Sequence, residues 1–298
     1  MRISTTTGGL SETNTTFDSK IELYASAGFD CVDLHLRHMW KAELSDIFLS
    51  EDWQQEIERL KQVAAYNKVS INQAHGPYST REFTHYLNDK ERKKDILFRV
   101  RRAVAVAGSL GAQNIIIHPI QCFSYRNFDK NEFFKINEEF FANLAETAQK
   151  YNINIAVENM WQYEDGKIVP SVCADPEEMA MYVDSFNKIA PCFSACLDVG
   201  HAKLTGFDPI ECIMILGNRL KALHIHDNDG IHDDHTLPLI NSRIMYDVMA
   251  ALKKINYSGD FTLESYAFVD KFRPEFQLEA ATFMAKTARH LTEYYDRL

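Results

Sequence analysis

Several short apolar segments of this sequence end in a side chain that can bind a metal ion or move a proton. The segments read NQAH, IIIH, IAVE, CLD, LHIH and FTLE. Their polar ends are His75, His118, Glu158, Asp198, His224 with His226, and Glu264. Imidazole and carboxylate groups are common ligands of divalent transition metals, and carboxylates also act as general acids and bases. The pattern therefore predicts a metal-dependent site.

Each of these residues has a simpler interpretation when it is taken alone. A histidine at a strand end is more often a hydrogen-bonded polar residue than a ligand, and Asp198 could cap the helix that follows it. The run HIHDNDGIHDDH, from His224 to His235, could be a solvated loop. These interpretations do not explain why the pattern recurs on six successive segments, so the joint pattern favours metal binding.

Eight β-rich segments position these residues, and segments with helical spacing of apolar residues separate them. The β-rich segments lie at residues 2–6, 31–36, 69–74, 114–118, 153–158, 193–199, 221–226 and 261–264. Regular alternation of strand and helix is typical of a parallel sheet. We predict an α/β fold of the (β/α)8 TIM-barrel type, with one domain over residues 1–298.

Several connections from a strand to the next helix are long, such as residues 76–90, whereas the returns to the next strand are short. In a (β/α)8 barrel, the strand C-termini and the loops that follow them form the active-site face. Alternation places Asn154, Ala156 and Glu158 on one face of their strand. The terminal acids and imidazoles would then converge on one mouth, where burying carboxylates without a cation is costly. A doubly wound open sheet is the alternative fold, but the sequence has neither GxGxxG nor GxxxxGK[ST].

The amino-acid composition limits the kinds of partner and the cellular location that we expect. The 298 residues include 32 Lys plus Arg against 42 Asp plus Glu, a net charge of -10, which argues against a nucleic-acid partner. The six cysteines form no CxxC pair and indicate reduced packing thiols. Neither a secretory leader nor a membrane-spanning segment is recognisable, so we predict a cytoplasmic protein. The sequence leaves a homo-oligomer open.

At these motifs the sequence resembles the xylose isomerase-like TIM-barrel superfamily, which includes the sugar phosphate isomerases and epimerases and the family 2 apurinic/apyrimidinic endonucleases. The resemblance extends over the whole chain. The resemblance to the epimerase branch implies one divalent ion, held by Glu158, Asp198, His224 and Glu264. The endonuclease branch holds three zinc ions, and the resemblance to it implies additional metal sites that involve His75, His118, His201, Asp233 and His235.

Some motifs depart from both branches. The segment PLIN, residues 238–241, stands where a PGxG-type loop is common in the isomerase and epimerase group. LDVGH and VENMW differ from the corresponding endonuclease motifs, and DNA-contacting loops are not recognisable. In ketose epimerases an arginine often follows the histidine of the seventh strand, whereas no arginine follows that histidine here.

The resemblance implies a divalent-metal-dependent isomerase or epimerase acting on a sugar or sugar phosphate through an enediolate that the metal stabilises. Glu158 and Glu264 would serve as the catalytic base and acid. Substrate contacts are expected from His75, His118, His201, His226 and Trp161, with Trp40 as a further stacking candidate. Zinc or manganese, one to three ions per chain, suits the mixed ligands.

Two other functions use the same residues. One is a multi-zinc phosphoesterase that resembles the apurinic/apyrimidinic endonucleases, and the other is a polyol dehydratase or a noncatalytic sugar-binding relative. The absence of a phosphate-binding motif favours an unphosphorylated carbohydrate substrate. Asp33 and His35 alternate so as to face the same mouth, and they rank below the other candidates.

Overall fold

The computed structural model describes residues 1–10, 16–121 and 125–298. Its strands are β1 Ile3–Thr6, β2 Cys31–His35, β3 Ser70–His75, β4 Asn114–Ile117, β5 Asn154–Glu158, β6 Trp161–Glu164, β7 Lys167–Pro170, β8 Phe193–Asp198, β9 Leu220–His224 and β10 Phe261–Leu263. Its α-helices are α1 Phe17–Ala27, α2 Trp53–Tyr66, α3 Thr80–Asn88, α4 Lys90–Leu110, α5 Lys130–Lys150, α6 Pro176–Ile189, α7 Val199–Leu204, α8 Pro209–Leu216, α9 Met245–Lys254, α10 Tyr266–Asp270 and α11 Gln277–Arg297.

Eight parallel strands form the barrel in the order β10-β1-β2-β3-β4-β5-β8-β9. Closure between β9 and β10 comes from backbone hydrogen bonds, in which Ile225 donates to Thr262 and Glu264 donates to Ile225, each at 2.9 Å. The predicted (β/α)8 barrel is confirmed. The observed strands begin and end within one or two residues of the predicted segments.

Short sequence signals start the outer helices. Asp175 followed by Pro176 begins α6, and Asp208 followed by Pro209 begins α8; both aspartates accept a hydrogen bond from the first turn. The end of α4 is set by Gly111, which adopts a left-handed conformation with φ 88°. Because the helices begin and end at these residues, the connections from each helix to the next strand are short.

The side chains inside the barrel form layers because residues two apart on a strand face the same side. Ile116, Ala156, Cys196 and Ala222 form a buried apolar cluster. Each of them stands two residues before one of the predicted polar strand ends, His118, Glu158, Asp198 and His224. The apolar cluster therefore lies directly beneath those polar groups and separates them from the N-terminal end of the barrel.

The long connection between β5 and α6, at residues 159–175, contains an antiparallel hairpin of β6 and β7. The sequence prediction missed it because these strands pair with each other and not with the barrel. Asp165 and Gly166 form its turn with φ 50° and 74°. An Asp-Gly pair between two β-rich segments is a signal for such a turn.

The five cysteines among the described residues are free and buried, as predicted for packing thiols, and Cys122 lies outside the described residues. Within the described part of the chain, none of the helices combines the length and apolar character that a membrane span requires.

Candidate active site and metal centre

The polar strand ends meet at the C-terminal mouth of the barrel, in a cavity of about 720 Å³. His75, His118, Glu158, His201, Asp233, His235 and Glu264 are among the residues that line it. Asp198 and His224 lie beneath them and are fully buried. The structure therefore brings together all nine residues that the resemblance identified as metal-ligand candidates.

The first ligand group consists of Glu158, Asp198, His224 and Glu264, whose ligand atoms all lie within 4.8 Å of one another. Nδ1 of His224 is 2.7 Å from Oε1 of Glu158 and 3.4 Å from Oε2 of Glu264. The four side chains come from the ends of β5, β8, β9 and β10. Three carboxylates and one imidazole around a common point can hold zinc or manganese.

Asp33 on β2 contacts the opposite nitrogen of the same imidazole. Its Oδ2 lies 3.3 Å from Nε2 of His224 and accepts a 2.8 Å hydrogen bond from Gln73. When a metal ion replaces the proton on Nδ1, a carboxylate at this position would accept a hydrogen bond from Nε2 and leave the Nδ1 lone pair to the ion. Asp33 ranked low among the sequence candidates, because alternation alone does not show that it reaches His224.

The second ligand group consists of His75, His118 and Glu158. The Nε2 atoms of the two histidines face each other at 3.2 Å. Oε2 of Glu158 is 2.9 Å from Nε2 of His118 and 3.6 Å from Nε2 of His75. Because Oε1 of Glu158 contacts His224, this carboxylate connects the first and second groups.

The third ligand group consists of His201, His226, Asp233 and His235. Nε2 of His201 and of His235 lie 3.5 Å and 3.1 Å from Oδ2 of Asp233. His226, predicted as a substrate contact, belongs to this group, and its Nε2 is 3.1 Å from Oδ1 of Asp198. The third group is therefore adjacent to the first.

Three of the histidines share a pattern that frees one ring nitrogen. In each, Nδ1 is 2.9 Å from a backbone carbonyl oxygen: the pairs are His75 with Gly76, His201 with Asn159, and His235 with Glu264. A proton on Nδ1 donates to that carbonyl, so the Nε2 lone pair would be available to a metal ion bound between the ring and the carboxylates. Metal-binding histidines in proteins are commonly oriented in this way.

Several buried polar atoms of these groups have no hydrogen-bond partner within the part of the chain that the structure describes. They are Oε2 of Glu158, Oδ2 of Asp198, Nε2 of His226 and Oδ1 of Asp233. Nε2 of His201 is 3.8 Å from Oδ2 of Asp198, and Nε2 of His226 is 3.6 Å from Oδ1 of Asp233. Burying such atoms without a partner is costly, and a divalent cation binds lone pairs from several sides at once. The residues present therefore fit bound metal.

The charges of the site are mutually stabilised. Burial alone would raise the pKa of Asp198, but two neighbouring imidazoles lower it to about 2. Burial also opposes the ionisation of Glu158, and the charge on the adjacent His224 is the largest of the effects that hold the pKa of Glu158 well below its usual range. Burial lowers the pKa of His118 to about 4. At neutral pH these two carboxylates are ionised and His118 is a neutral imidazole with a free lone pair.

Two tyrosines that the sequence analysis missed form aromatic walls of the cavity. Tyr78 stacks on His118 with ring centroids 4.1 Å apart, and Tyr266 stacks on His235 at 4.7 Å. Tyr78 comes three residues after His75, in HGPY, and Tyr266 two residues after Glu264. An aromatic residue just beyond a polar strand end is the signal that could have identified both.

The two predicted tryptophans have different environments. Trp161, the first residue of the hairpin, lines the metal cavity and donates from Nε1 to Oδ2 of Asp233 at 3.2 Å. Trp40 does not line this cavity; it is buried, and its ring lies 5.6 Å from the ring of Phe83. A 3-10 turn at residues 37–40 carries Trp40 to the neighbouring cavity, away from the ligand groups, and stacking of Trp40 on a sugar stays a prediction.

Asp227, the last residue of the HIHD motif, fixes the position of the segment at residues 238–241. Oδ2 of Asp227 accepts hydrogen bonds from the backbone of Asn241 and Ser242 at 2.8 and 2.9 Å, and Oδ1 accepts from Lys203 at 2.9 Å. This explains how a loop without the PGxG pattern still closes onto β9.

Gly200, the glycine of LDVGH, is required because there is no space for a side chain. A Cβ on Gly200 would lie 2.0 Å from Cε1 of His226.

Comparison with known proteins agrees with the fold. The sequence model of the family described as xylose isomerase-like TIM barrel matches residues 21–287. The chain belongs to this family. This family member is 28% identical over 171 residues to the uncharacterized protein y4fM of Sinorhizobium fredii, and the match covers 56% of this chain and 51% of that protein. It is 23% identical over 260 residues to the uncharacterized protein ML2432 of Mycobacterium leprae, with 83% of each chain covered.

The chain spans 51% and 59% of the lengths of y4fM and of MJ1311 of Methanocaldococcus jannaschii. Among solved structures, a D-psicose 3-epimerase determined in the presence of D-fructose has a TM-score of 0.75 at 16% identity, covering 98% of this chain and 99% of that one. A D-tagatose 3-epimerase-like protein has a TM-score of 0.72 at 19% identity, with 98% and 99% covered. The IOLI protein with a bound zinc atom has a TM-score of 0.71 at 18% identity, with 100% and 99% covered. At these identities the likeness establishes the fold.

Proposed function

We propose that this protein is a divalent-metal-dependent isomerase or epimerase of sugars. The observation that carries the proposal is the pair Glu158 and Glu264, which approach the same nitrogen of His224 and both line the cavity. They come from β5 and from the end of β10, which β8 and β9 separate in the sheet. Two carboxylates at different positions around one substrate can remove a proton and return one to another face of the carbon.

Glu158, Asp198, His224 and Glu264 would hold the metal ion. A divalent ion bound there would supply Lewis-acid stabilisation of a carbonyl group and of the negative charge that develops beside it. Zinc and manganese are the candidates, because both accept imidazole together with carboxylate. The structurally similar IOLI protein, which was determined with a bound zinc atom, supports zinc as the first metal to test.

The chain's own groups would perform the proton transfer. One of Glu158 and Glu264, as the carboxylate, would take the proton from the carbon next to the carbonyl, and the other, as the protonated acid, would supply the proton that rebuilds the C–H bond. Proton exchange with solvent would then restore both groups. Epimerisation results when the proton returns to the opposite face, and isomerisation when it returns to the neighbouring carbon. Trp161 and the two stacked tyrosines would exclude water and contact the sugar ring. Similarity to structures named for D-psicose and D-tagatose 3-epimerases supports a ketose as substrate.

A second candidate is a hydrolase of phosphoesters that uses more than one metal ion. The observation that favours it is the contiguity of the three ligand groups, since Glu158 connects the first two and His226 brings the third next to Asp198. Adjacent metal ions can hold both the attacking and the leaving oxygen of a displacement. The net charge of -10 argues against a polyanionic substrate such as duplex DNA.

The experiment that separates the two begins with a count of metal ions per chain by elemental analysis. The variant His75→Ala/His118→Ala removes the second ligand group, and His85→Ala/His290→Ala removes two histidines outside the ligand groups as a matched control. For each protein, hydrogen exchange of D-fructose and D-psicose in D2O is followed by NMR, and hydrolysis of small phosphoesters is followed in parallel.

For an isomerase or epimerase, we expect carbon-bound deuterium to appear in the ketose, and at least one ion per chain to remain in the His75→Ala/His118→Ala variant. Phosphoester hydrolysis that is lost in this variant together with one or two ions, with no exchange into either ketose, would replace the isomerase with the hydrolase. The control variant should match the unaltered protein in both measurements.

A further inference from the structure

A second cavity of about 780 Å³ adjoins the metal cavity. The two cavities share Gly8, Gly9, His35, Arg37 and Tyr78 in their walls, so they meet along one edge. Pockets of about 300–1,000 Å³ hold ligands much larger than a monosaccharide. The space at the mouth of the barrel therefore exceeds what a neutral hexose at the metal ligands would fill.

Arg37 stands at the junction of the cavities, just beyond the end of β2. Its guanidinium carbon lies 4.8 Å from the ring centroid of Tyr78, which in turn stacks on His118 at 4.1 Å. Two ring contacts thus separate the guanidinium from the second ligand group. Arg37 is exposed toward the cavities, and Lys41, one turn further along, lines the second cavity as well.

The other charged side chains in the second cavity already have partners. Lys20 donates to two backbone carbonyl oxygens at 2.8 Å each. Arg59 is paired with Glu56, and His38 lies 3.9 Å from Asp46. Among the residues for which the structure gives positions, Arg37 and Lys41 have no carboxylate partner. Two cations without a carboxylate partner in the described part of the chain therefore face one cavity of a protein whose net charge is -10.

Aromatic rings form the wall beside these cations. Phe17 and Phe48 pack edge to face with centroids 5.9 Å apart, and both line the second cavity. A low-polarity wall strengthens the interaction of a cation with a bound anion. A planar guanidinium is suited to bidentate contact with phosphate or carboxylate oxygens.

We propose that the substrate carries an anionic group, phosphate or carboxylate, that Arg37 and Lys41 bind in the second cavity while the sugar part lies at the metal ligands. This inference rests on the proposed function for the sugar part of the substrate. An anionic substrate differs from the unphosphorylated one expected from the sequence. That expectation followed from the lack of a recognisable phosphate-binding motif. Here the anion site comes from two side chains at the end of one strand rather than from a glycine-rich loop.

Isothermal titration calorimetry on the metal-replete protein tests the proposal. The probes are D-fructose against D-fructose 6-phosphate for phosphate, and D-glucose against D-glucuronate for carboxylate. We expect at least one of the two anionic probes to bind about tenfold more tightly than its neutral counterpart, because a charge-assisted hydrogen bond has about that effect. The variant Arg37→Gln/Lys41→Gln should abolish this preference and leave the metal content and the affinity for the neutral sugar unchanged.

The matched control is Lys135→Gln/Lys188→Gln, which removes two exposed charges from α5 and α6 and should keep the preference. Equal affinity for both members of each pair would overturn the proposal. A preference that persists in Arg37→Gln/Lys41→Gln would also overturn it, because the anion would then bind at the metal centre. Anion preference that depends on Arg37 and Lys41, without deuterium exchange into any probe, would support the anion site and contradict the isomerase function.

Discussion

Oδ2 of Asp33 lies 3.3 Å from Nε2 of His224, while Nδ1 of the same imidazole contacts Glu158 at 2.7 Å. The two nitrogens of this ring therefore contact different carboxylates, Nε2 that of Asp33 and Nδ1 that of Glu158. The variant Asp33→Asn should weaken metal binding about 10- to 100-fold, because the ring loses the charged acceptor that orients it. Competition with a chromophoric chelator measures the affinity.

The control for this prediction is Asp184→Asn, which removes a carboxylate that pairs with Arg219 on the outer surface. Its metal affinity should equal that of the unaltered protein. Unchanged affinity in Asp33→Asn would show that other contacts hold His224 in place.

Gly200 should not tolerate a side chain. In Gly200→Ala, the new Cβ would lie 2.0 Å from Cε1 of His226, so the imidazole must move away from Asp198. Alanine is otherwise favourable in a helix, and overpacking of this kind costs about 1–3 kcal/mol of the free energy of unfolding. Denaturant unfolding measures the loss.

Removal of the clashing ring tests the cause. In a His226→Ala background, the added Gly200→Ala change should cost little, because contacting residues are not additive. An equal cost with and without the histidine would mean that the backbone conformation at Gly200, rather than the contact with His226, is responsible.

Glu158→Gln and Glu264→Gln should have different effects on proton exchange. If each carboxylate serves one face of the substrate, one variant loses exchange with D-fructose more strongly and the other with D-psicose. General acid-base groups contribute about 10²- to 10⁴-fold, so each loss should fall in that range. Deuterium incorporation, followed by NMR at a fixed metal content per chain, gives the rates.

Glu164→Gln provides the control, since it removes a carboxylate from the same cavity that belongs to none of the three ligand groups. It should exchange both sugars at the unaltered rates. Equal losses with both sugars in the two catalytic variants would instead indicate that the glutamates act only by holding metal.

Acid stability should depend on Asp30 at the N-terminal end of the barrel, far from the ligand groups. Burial would raise the pKa of Asp30, but hydrogen bonds from Arg289 and from the backbone of Ile3 lower it below the ordinary value of 3.8. A folded-state pKa below the unfolded one stabilises the fold above the unfolded pKa, and this stabilisation is lost as pH falls through the folded pKa. Asp30→Asn should therefore unfold more easily at neutral pH, by no more than about 1 kcal/mol because solvent screens this half-exposed pair.

Thermal unfolding of both proteins from pH 7 down to about pH 3 measures this difference. The gap in Tm should narrow as the pH falls below about 4. A gap that stays constant with pH would mean that the carboxylate charge of Asp30 is not the source of the stability.

The barrel and its polar strand ends were predictable from the sequence because both depend on short-range patterns. A period of two decides which residues share a strand face, and this period placed His118, Glu158, Asp198 and His224 in one layer above Ile116, Ala156, Cys196 and Ala222. The strand-helix alternation then required all strand ends to lie at one mouth.

Only the tertiary structure decided how these residues are grouped. The contact of Asp33 with His224, the junction of the two cavities at Arg37 and the displacement of Trp40 from the metal centre each depend on distances between strands far apart in the chain. Barrel closure and loop conformation set those distances. Local sequence patterns constrain neither, because they act over a few residues, whereas residues 33 and 224 meet only when the barrel has formed.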